Sequence, residues 1–313
     1  MKAVAYSIIV PAYNEQENIE PLTHQLTEVL TKTGKTYEII FIDDGSTDNS
    51  FAILQKLHRR YQTVKVIRFR RNFSKTPALM AGFNWARGKV IVTMDGDLQN
   101  DPKDLPRFFA KIKEGYDLVI GWRRQRDDPI SKTIPTIIYN ILTRWVSKTH
   151  LHDSNCGFKA FRSEVLRDID LYGEMHRYIP AFLGAQGYKI AEIKVIHHKR
   201  RFGKSKYGFF RMLWGVSDLL YVQFWLDYST KPIHFLGSIG LIQYGLAGLI
   251  IIEQIIKAVI DRALTLGPLL MLAVLFTVTG TLCILFGFLA EIQIRTFFTG
   301  SKTKTYSVKQ TLL

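Results

Sequence analysis

The chain has 313 residues, of which 47% are hydrophobic and 12% aromatic, enough for a sizeable core; a wholly disordered chain is excluded. Its formal net charge of +15 calls for an anionic partner: nucleic acid, anionic lipid or a phosphorylated small molecule. Its two cysteines, Cys156 and Cys283, stand far apart in regions of different character, which argues against a structural disulfide or thiolate cluster and fits a reducing compartment.

The first apolar run, Tyr6 to Val10, stops at a proline and is too short for a signal peptide; it reads as a strand. NIEPLTHQLTEVLTKT then places Ile19, Leu22, Leu26, Val29 and Leu30 at helical spacing. YEIIFIDDGSTD is a second strand ending in Asp43, Asp44 and Gly45, with Thr47 or Asp48 as a cap for a helix through Phe51, Leu54 and Leu57. VKVIRF is a third strand. TPALMAGFNWARG is a third helix, with Pro77 in its first turn and Gly88 past its end. VIVTM is a fourth strand running into DGDLQ, and DLPRFFAKIKEG and DLVIGWR continue the alternation.

Strands alternating with helices at short spacing predict a mostly parallel sheet covered by helices on both faces. Ligands bind such sheets at the carboxyl ends of the strands. Asn14 and Glu15 follow the first strand, Asp43 and Asp44 the second, Asp95 and Asp97 the fourth, so three strands deliver acid to one edge. Clustered carboxylates repel one another unless a cation joins them. Asp95, Asp97 and the carbonyl of Gln99 offer hard oxygen ligands suited to Mg²⁺ or Mn²⁺. Asp101, before Pro102, reads as a turn or cap residue, and His152, His197 and His198 as solvated or packed histidines. Neither a P-loop nor a G-x-G-x-x-G after the first strand is present.

Cations surround this edge: Arg70, Arg71 and Lys75 after the third strand, Arg123, Arg124 and Arg126 after DLVIG, then Lys132 and the run Lys199, Arg200, Arg201, Lys204, Lys206. A metal with arginines equips a site for a diphosphate leaving group and for a phosphate acceptor.

From residue 233 the composition changes. Segments 233–252 and 268–290 are each long enough to cross a bilayer core of about 30 Å as helices, although buried helices of a soluble protein pass the same length test. Basic flanks lie before the first span and after the second, at Arg295, Lys302, Lys304 and Lys309, while the loop 253–267 is charge-balanced. This predicts both termini and the α/β domain on the cytoplasmic side. YGFFRMLWGVSDLLYVQFWLDY, 207–228, reads as interfacial amphipathic helix, with a core helix as the alternative. The expected organisation is 1–206 α/β domain, 207–232 interfacial segment and 233–313 membrane hairpin; a homo-oligomer would help a short hairpin bury its spans.

Six motifs occur in order: PAYNE, DDGST, RNFSK, DGDLQ, DSNCGFKAFR and RRFGKSKYG. Together they resemble the family 2 glycosyltransferases of GT-A fold, and among these the polyprenyl-phosphate hexose synthases of the dolichol-phosphate mannose synthase type. The likeness spans about residues 5 to 210, and the tail resembles the bacterial members with a membrane hairpin. The resemblance implies that Pro11, Tyr13 and Glu15 contact the nucleotide, with Ile42 and Asp44 near its base. It makes Asp95, Asp97 and Gln99 the metal motif, with Gly96 where the family usually has alanine. It puts Arg123 near the donor, Lys132 before the acceptor phosphate, and Arg200 and Lys206 on a loop closing over the diphosphate. Asp153 matches a proposed catalytic base. A phosphate monoester, with a second pKa near about 6, is already mostly deprotonated at neutral pH and needs little help from a base. Asp153 is therefore expected to position the acceptor or the loop.

The expected activity is inverting transfer of a hexose from UDP- or GDP-hexose to undecaprenyl or dolichyl phosphate at the cytoplasmic membrane face. Two rivals remain: transfer to a sugar or lipid hydroxyl, which processive relatives accompany with a Q-x-x-R-W-type motif and more spans, and a non-catalytic membrane scaffold. Nucleic acid is not an expected partner, because the basic residues cluster near the membrane and the acidic site.

Overall fold

The computed structural model describes residues 3–123, 151–169, 171, 173–199, 224, 228, 231–261 and 267–301. The chain falls into two compact units, Met1–Val222 and Gln223–Leu313. The expected domain limit at 206 and most of the segment 207–232 lie outside the described residues.

In the first unit, seven strands form one sheet: β1 (Tyr6–Ala12), β2 (Tyr37–Asp43), β3 (Val64–Arg68), β4 (Val90–Thr93), β5 (Leu118–Trp122), β6 (Lys159–Arg162) and β7 (Ile190–Lys194), in the order β3-β2-β1-β4-β6-β5-β7. Helices α1 (Ile19–Lys32), α2 (Ser50–Arg60), α3 (Lys75–Trp85), α4 (Leu105–Lys113) and α5 (Ile179–Ala185) connect or flank them. The central strands are apolar on both faces, as expected where helices cover each side; Ile8, Ile9, Val10, Ile39, Ile40 and Phe41 are fully buried. On α1, the buried residues Ile19, Leu22, Leu26 and Leu30 form the stripe that the spacing predicts.

β1 pairs in parallel with β2 and β4, β2 with β3, and β5 with β7. The exception is β6, antiparallel to both β4 and β5. KAFR has four residues and begins and ends in a cation, so apolar patterning alone does not mark it as a strand.

Two local expectations change. Helix α2 begins at Ser50, so Asn49 rather than Thr47 or Asp48 holds its N-cap position, while Asp48 accepts the Ser50 N–H at 2.9 Å. Gly88 is not a helix cap: α3 ends three residues earlier, at Trp85, and a Cβ on Gly88 would meet the Ser7 nitrogen at 2.6 Å. Its small size lets the chain pass against β1, and its N–H donates to Ser7 Oγ at 2.8 Å.

The second unit holds two long helices, α6 (Pro232–Asp261) and α7 (Pro268–Ser301), both long and apolar enough to cross a membrane. Residues 253–261, expected in a loop, continue α6 as helix, with a Glu253–Lys257 pair one turn apart at 2.5 Å. The two helices approach closely where side chains are absent: a Cβ on Gly240 would meet the Gly280 carbonyl oxygen at 2.7 Å. Tyr244 and Thr281 share a hydroxyl hydrogen bond of 2.7 Å, while Leu241, Leu249, Val259, Met271 and Phe286 point outward.

Candidate active site

Because β1, β2 and β4 run parallel in register, with Ala12 opposite Asp43 and Ile9 opposite Thr93, the loops after them share one edge. The first two loops are stapled together. Asn14 adopts a left-handed φ of 54°, accepts the Thr47 N–H at 2.8 Å, and donates its own backbone N–H to Ser46 Oγ at 3.0 Å. Glu15 accepts from Asn18 Nδ2 at 2.6 Å, at the start of α1. Pro11 and Tyr13 are half-buried at the same edge.

Asp44 accepts the N–H groups of Phe73 and Ser74 at 2.7 and 3.0 Å, fastening the loop after β3. Gly45, with φ of +71°, makes this possible: a Cβ there would meet the Arg71 carbonyl carbon at 2.3 Å. Ile42 is fully buried, and the Cβ position of Gly82 on α3 lies 3.2 Å from its Cδ1, so its side chain forms part of the core beneath the edge.

DGDLQ leaves β4 through strained backbone. Leu98, buried, has φ of 59°, a left-handed conformation costly for a residue with a side chain. Asp97 is 8% exposed and accepts the Gln99 N–H at 3.2 Å. Asp95 is paired with Lys75 at the start of α3. Burial alone would raise its pKa, but Lys75, Arg123 and Lys159 outweigh this and hold it below the ordinary carboxylate value. Gln99 turns its amide nitrogen toward the His198 carbonyl at 3.4 Å. Asp101 accepts the Lys103 N–H at 2.9 Å, as a cap does.

Arg123, after β5, grips Asp153 with two parallel contacts, Nε to Oδ2 at 2.7 Å and Nη2 to Oδ1 at 3.0 Å. Burial would lower the Arg123 pKa; Cys156, Asp153 and Asp95 beside it leave it above the ordinary value. Burial also pushes the Cys156 thiol up. Lys159, the first residue of β6, is 4% exposed, and its ammonium donates to the Cys156 carbonyl. Burial brings its pKa down to about 8, against the pull of Asp153 and Asp95.

Sequence reasoning missed Lys159 and Gly157. A Cβ on Gly157 would stand 2.4 Å from Asp95 Oδ2, so the absent side chain makes room for that carboxylate. The available signal was a lysine enclosed by Phe158, Ala160 and Phe161, a context in which a charge is buried for a reason.

Residues 194–198 are fastened to the DGDLQ loop at Gln99 and to the start of α4. Asp104 accepts the Ile196 N–H at 2.8 Å, Arg107 Nη1 donates to the Lys194 carbonyl at 2.7 Å, and the His198 N–H reaches the Gln99 carbonyl at 2.8 Å. His198 also meets Asp101 at 3.1 Å, and His152 meets Glu192 at 2.8 Å, so these histidines have carboxylate partners. Lys132, Arg200 and Lys206 lie outside the described residues.

Among the described residues no closed group of three His, Cys, Asp or Glu ligands is assembled. The donor set nonetheless suits an open site: the carboxylates of Asp95 and Asp97 are hard oxygen ligands, and Gly157, lacking a side chain, makes room for the Asp95 carboxylate. The edge therefore brings the Asp95 carboxylate beside the cations Lys75, Arg123 and Lys159.

The chain matches the family model described as glycosyl transferase family 2 over residues 7–170. It is 35% identical to a dodecaprenyl-phosphate galacturonate synthase from Rhizobium johnstonii, over 99% of this chain and 94% of that one. Among solved structures it resembles the glucosyl-3-phosphoglycerate synthase of Mycobacterium tuberculosis bound to Mn²⁺, UDP and phosphoglyceric acid, with a TM-score of 0.54 and 16% identity over 71% of this chain and 78% of that one. The same enzyme with Mn²⁺, UDP-glucose and phosphoglyceric acid gives a TM-score of 0.53 at 17% identity, over 71% and 79% of the two chains. At these identities the solved structures establish the GT-A-like fold.

Proposed function

This chain belongs to glycosyltransferase family 2, and from that premise we propose that it transfers a hexose from a nucleotide-diphosphate sugar to the phosphate of a polyprenyl phosphate. The observation that carries the reading is the meeting, at the end of β4, of Asp95 with the cations Lys75, Arg123 and Lys159, with Asp97 two residues further along the same loop. The relative named as a dodecaprenyl-phosphate sugar synthase supports the acceptor class, and the two apolar helices support anchoring at a membrane where such a lipid resides.

Asp95 and Asp97, with Gln99 as a weaker third group, would hold Mg²⁺ or Mn²⁺; the Mn²⁺ and UDP in the structural neighbour support a divalent cation and a nucleotide sugar. When bound, the ion draws charge from the diphosphate leaving group. Pro11, Tyr13, Glu15 and Asp44 line or brace the nucleotide end of the edge. Lys75 and Arg123 orient anionic oxygens, as do Lys132, Arg200 and Lys206 in the resemblance. The acceptor phosphate oxygen attacks the anomeric carbon in line, with inversion, as the sugar–diphosphate bond breaks. Both Asp153 oxygens face the Arg123 guanidinium, which fixes the orientation of the carboxylate and supports a positioning role. The catalytic domain, ending near residue 206, and both termini face the cytoplasm, with 207–232 in the interface.

The test is incorporation into lipid. Purified protein in detergent, with Mn²⁺, polyprenyl phosphate and a panel of UDP- and GDP-sugars including UDP-galacturonate, is expected to give an acid-labile glycolipid from one donor. Transfer to a hydroxyl acceptor with no requirement for the lipid phosphate would overturn the reading.

A further inference from the structure

The Asp153 backbone has an anchor that the mechanism above does not use. Glu192 lies in the middle of β7, opposite Ile120 of β5, with its side chain 11% exposed. Its Oε1 accepts the backbone N–H of Asp153 at 2.8 Å and that of His152 at 2.9 Å. Its Oε2 lies 3.1 Å from the same His152 nitrogen and 2.8 Å from His152 Nδ1. One carboxylate thus holds two consecutive N–H groups, and the Asp153 residue is only 1% exposed.

The other end of Asp153 is held from β5, since Arg123 directly follows that strand. β5 and β7 are paired in fixed register, with Trp122 opposite Lys194 two residues beyond Glu192. Backbone and side chain of Asp153 are therefore clamped from two adjacent strands whose spacing the sheet ladder sets. The His152 ring stacks on Trp122, with centroids 4.1 Å apart and planes 16° from parallel. Lys194 lies 5.4 Å from the centroid of the Trp122 ring. A loop anchored in this way presents its carboxylate in one orientation before substrate arrives, which is what a positioning group requires.

We propose that Glu192 is a positioning residue for the transfer reaction, fixing the His152–Asp153 backbone so that the Asp153 carboxylate meets Arg123 in its bidentate geometry. The proposal deepens the functional reading and rests on it for the role of Asp153.

Three measurements on the full-length protein in detergent test it. Glu192→Ala should lower kcat about tenfold to a hundredfold with KM for the nucleotide sugar within about threefold of wild type, and Glu192→Gln, which keeps an acceptor oxygen, should recover most of kcat. In an Asp153→Ala background, Glu192→Ala should add no further loss, because both changes remove one unit. Glu192→Ala should also speed amide exchange across residues 152–154 at least about tenfold while leaving residues 159–162 of β6 protected. Independent, multiplying losses in the double variant would overturn the proposal, as would a glutamine variant no better than alanine or unchanged exchange at 152–154. If the wild-type protein forms no polyprenyl product, the functional reading fails, and the exchange measurement still decides whether Glu192 clamps the loop.

Discussion

The two halves of the sheet use the same residue, aspartate, for different purposes. In the β1–β2–β3 half, the acids after the strands fasten backbone: Asp43 accepts the Ser46 N–H, Asp44 those of Phe73 and Ser74, and Asp48 that of Ser50, while the exposed Arg68 lies 3.3 Å from Asp43. In the β4–β6–β5 half, Asp97 still accepts a backbone N–H, but two acids face half-buried cations: Asp95 meets Lys75, and Asp153 meets Arg123, with Lys159 buried nearby. An acid at a strand end is therefore not in itself a ligand. Its partner tells whether it fastens a loop or balances charge in a reacting site.

Substitutions can break this contrast. The largest effect is expected from Gly157→Ala, whose methyl would press on Asp95 Oδ2: transfer should fall about a hundredfold or more while thermal unfolding stays cooperative. A variant with wild-type turnover would show that Asp95 is free to move. Asp95→Asn and Asp44→Ala should separate the two purposes. The first should cost about a hundredfold in activity and weaken Mn²⁺ binding measured by electron paramagnetic resonance, with stability within about 1 kcal/mol of wild type. The second leaves two loop N–H groups without their acceptor and should cost about 1–3 kcal/mol in unfolding experiments. Equal behaviour of the two variants would erase the distinction.

A smaller effect follows from Lys159. Its folded pKa of about 8 lies below the ordinary 10.5, so between these values the unfolded chain binds the proton that the folded chain has released. Stability should therefore rise with pH across that window, and the rise should be absent in Lys159→Met. Melting curves at pH 8 and pH 10 check the sign. The smallest effect is expected at Gly96, where a Cβ would sit 3.2 Å from the Pro11 carbonyl oxygen, a contact relieved by a slight shift. Gly96→Ala should retain activity within about threefold, in contrast to Gly157→Ala one strand away.

The β1–β4 half was legible because β1, β2 and β4 are apolar runs each followed by acid, and the first two helices announce themselves by apolar spacing over 14 and 11 residues. The right half was less so. β6 carries Lys159 and Arg162, and β7 carries Glu192 and Lys194, so neither reads as a buried strand until its neighbours supply partners. The long apolar helices were equally plain, yet α6 runs nine residues beyond its expected span, because Glu253, Lys257 and Asp261 are all compatible with helix once the chain has started one.

By itself the sequence determined the α/β alternation, the carboxylate edge with Asp95 and Asp97, and the two apolar helices, because these follow from local periodicity and from the chemistry of adjacent residues. Only the tertiary structure decided which acids face cations. It joined Lys75 to Asp95 across 20 residues, Arg123 to Asp153 across 30 and Glu192 to Asp153 across 39. Those pairings depend on the strand order of the sheet, which is set by which buried faces and backbone ladders are completed together, a property of the whole sheet that no single segment contains.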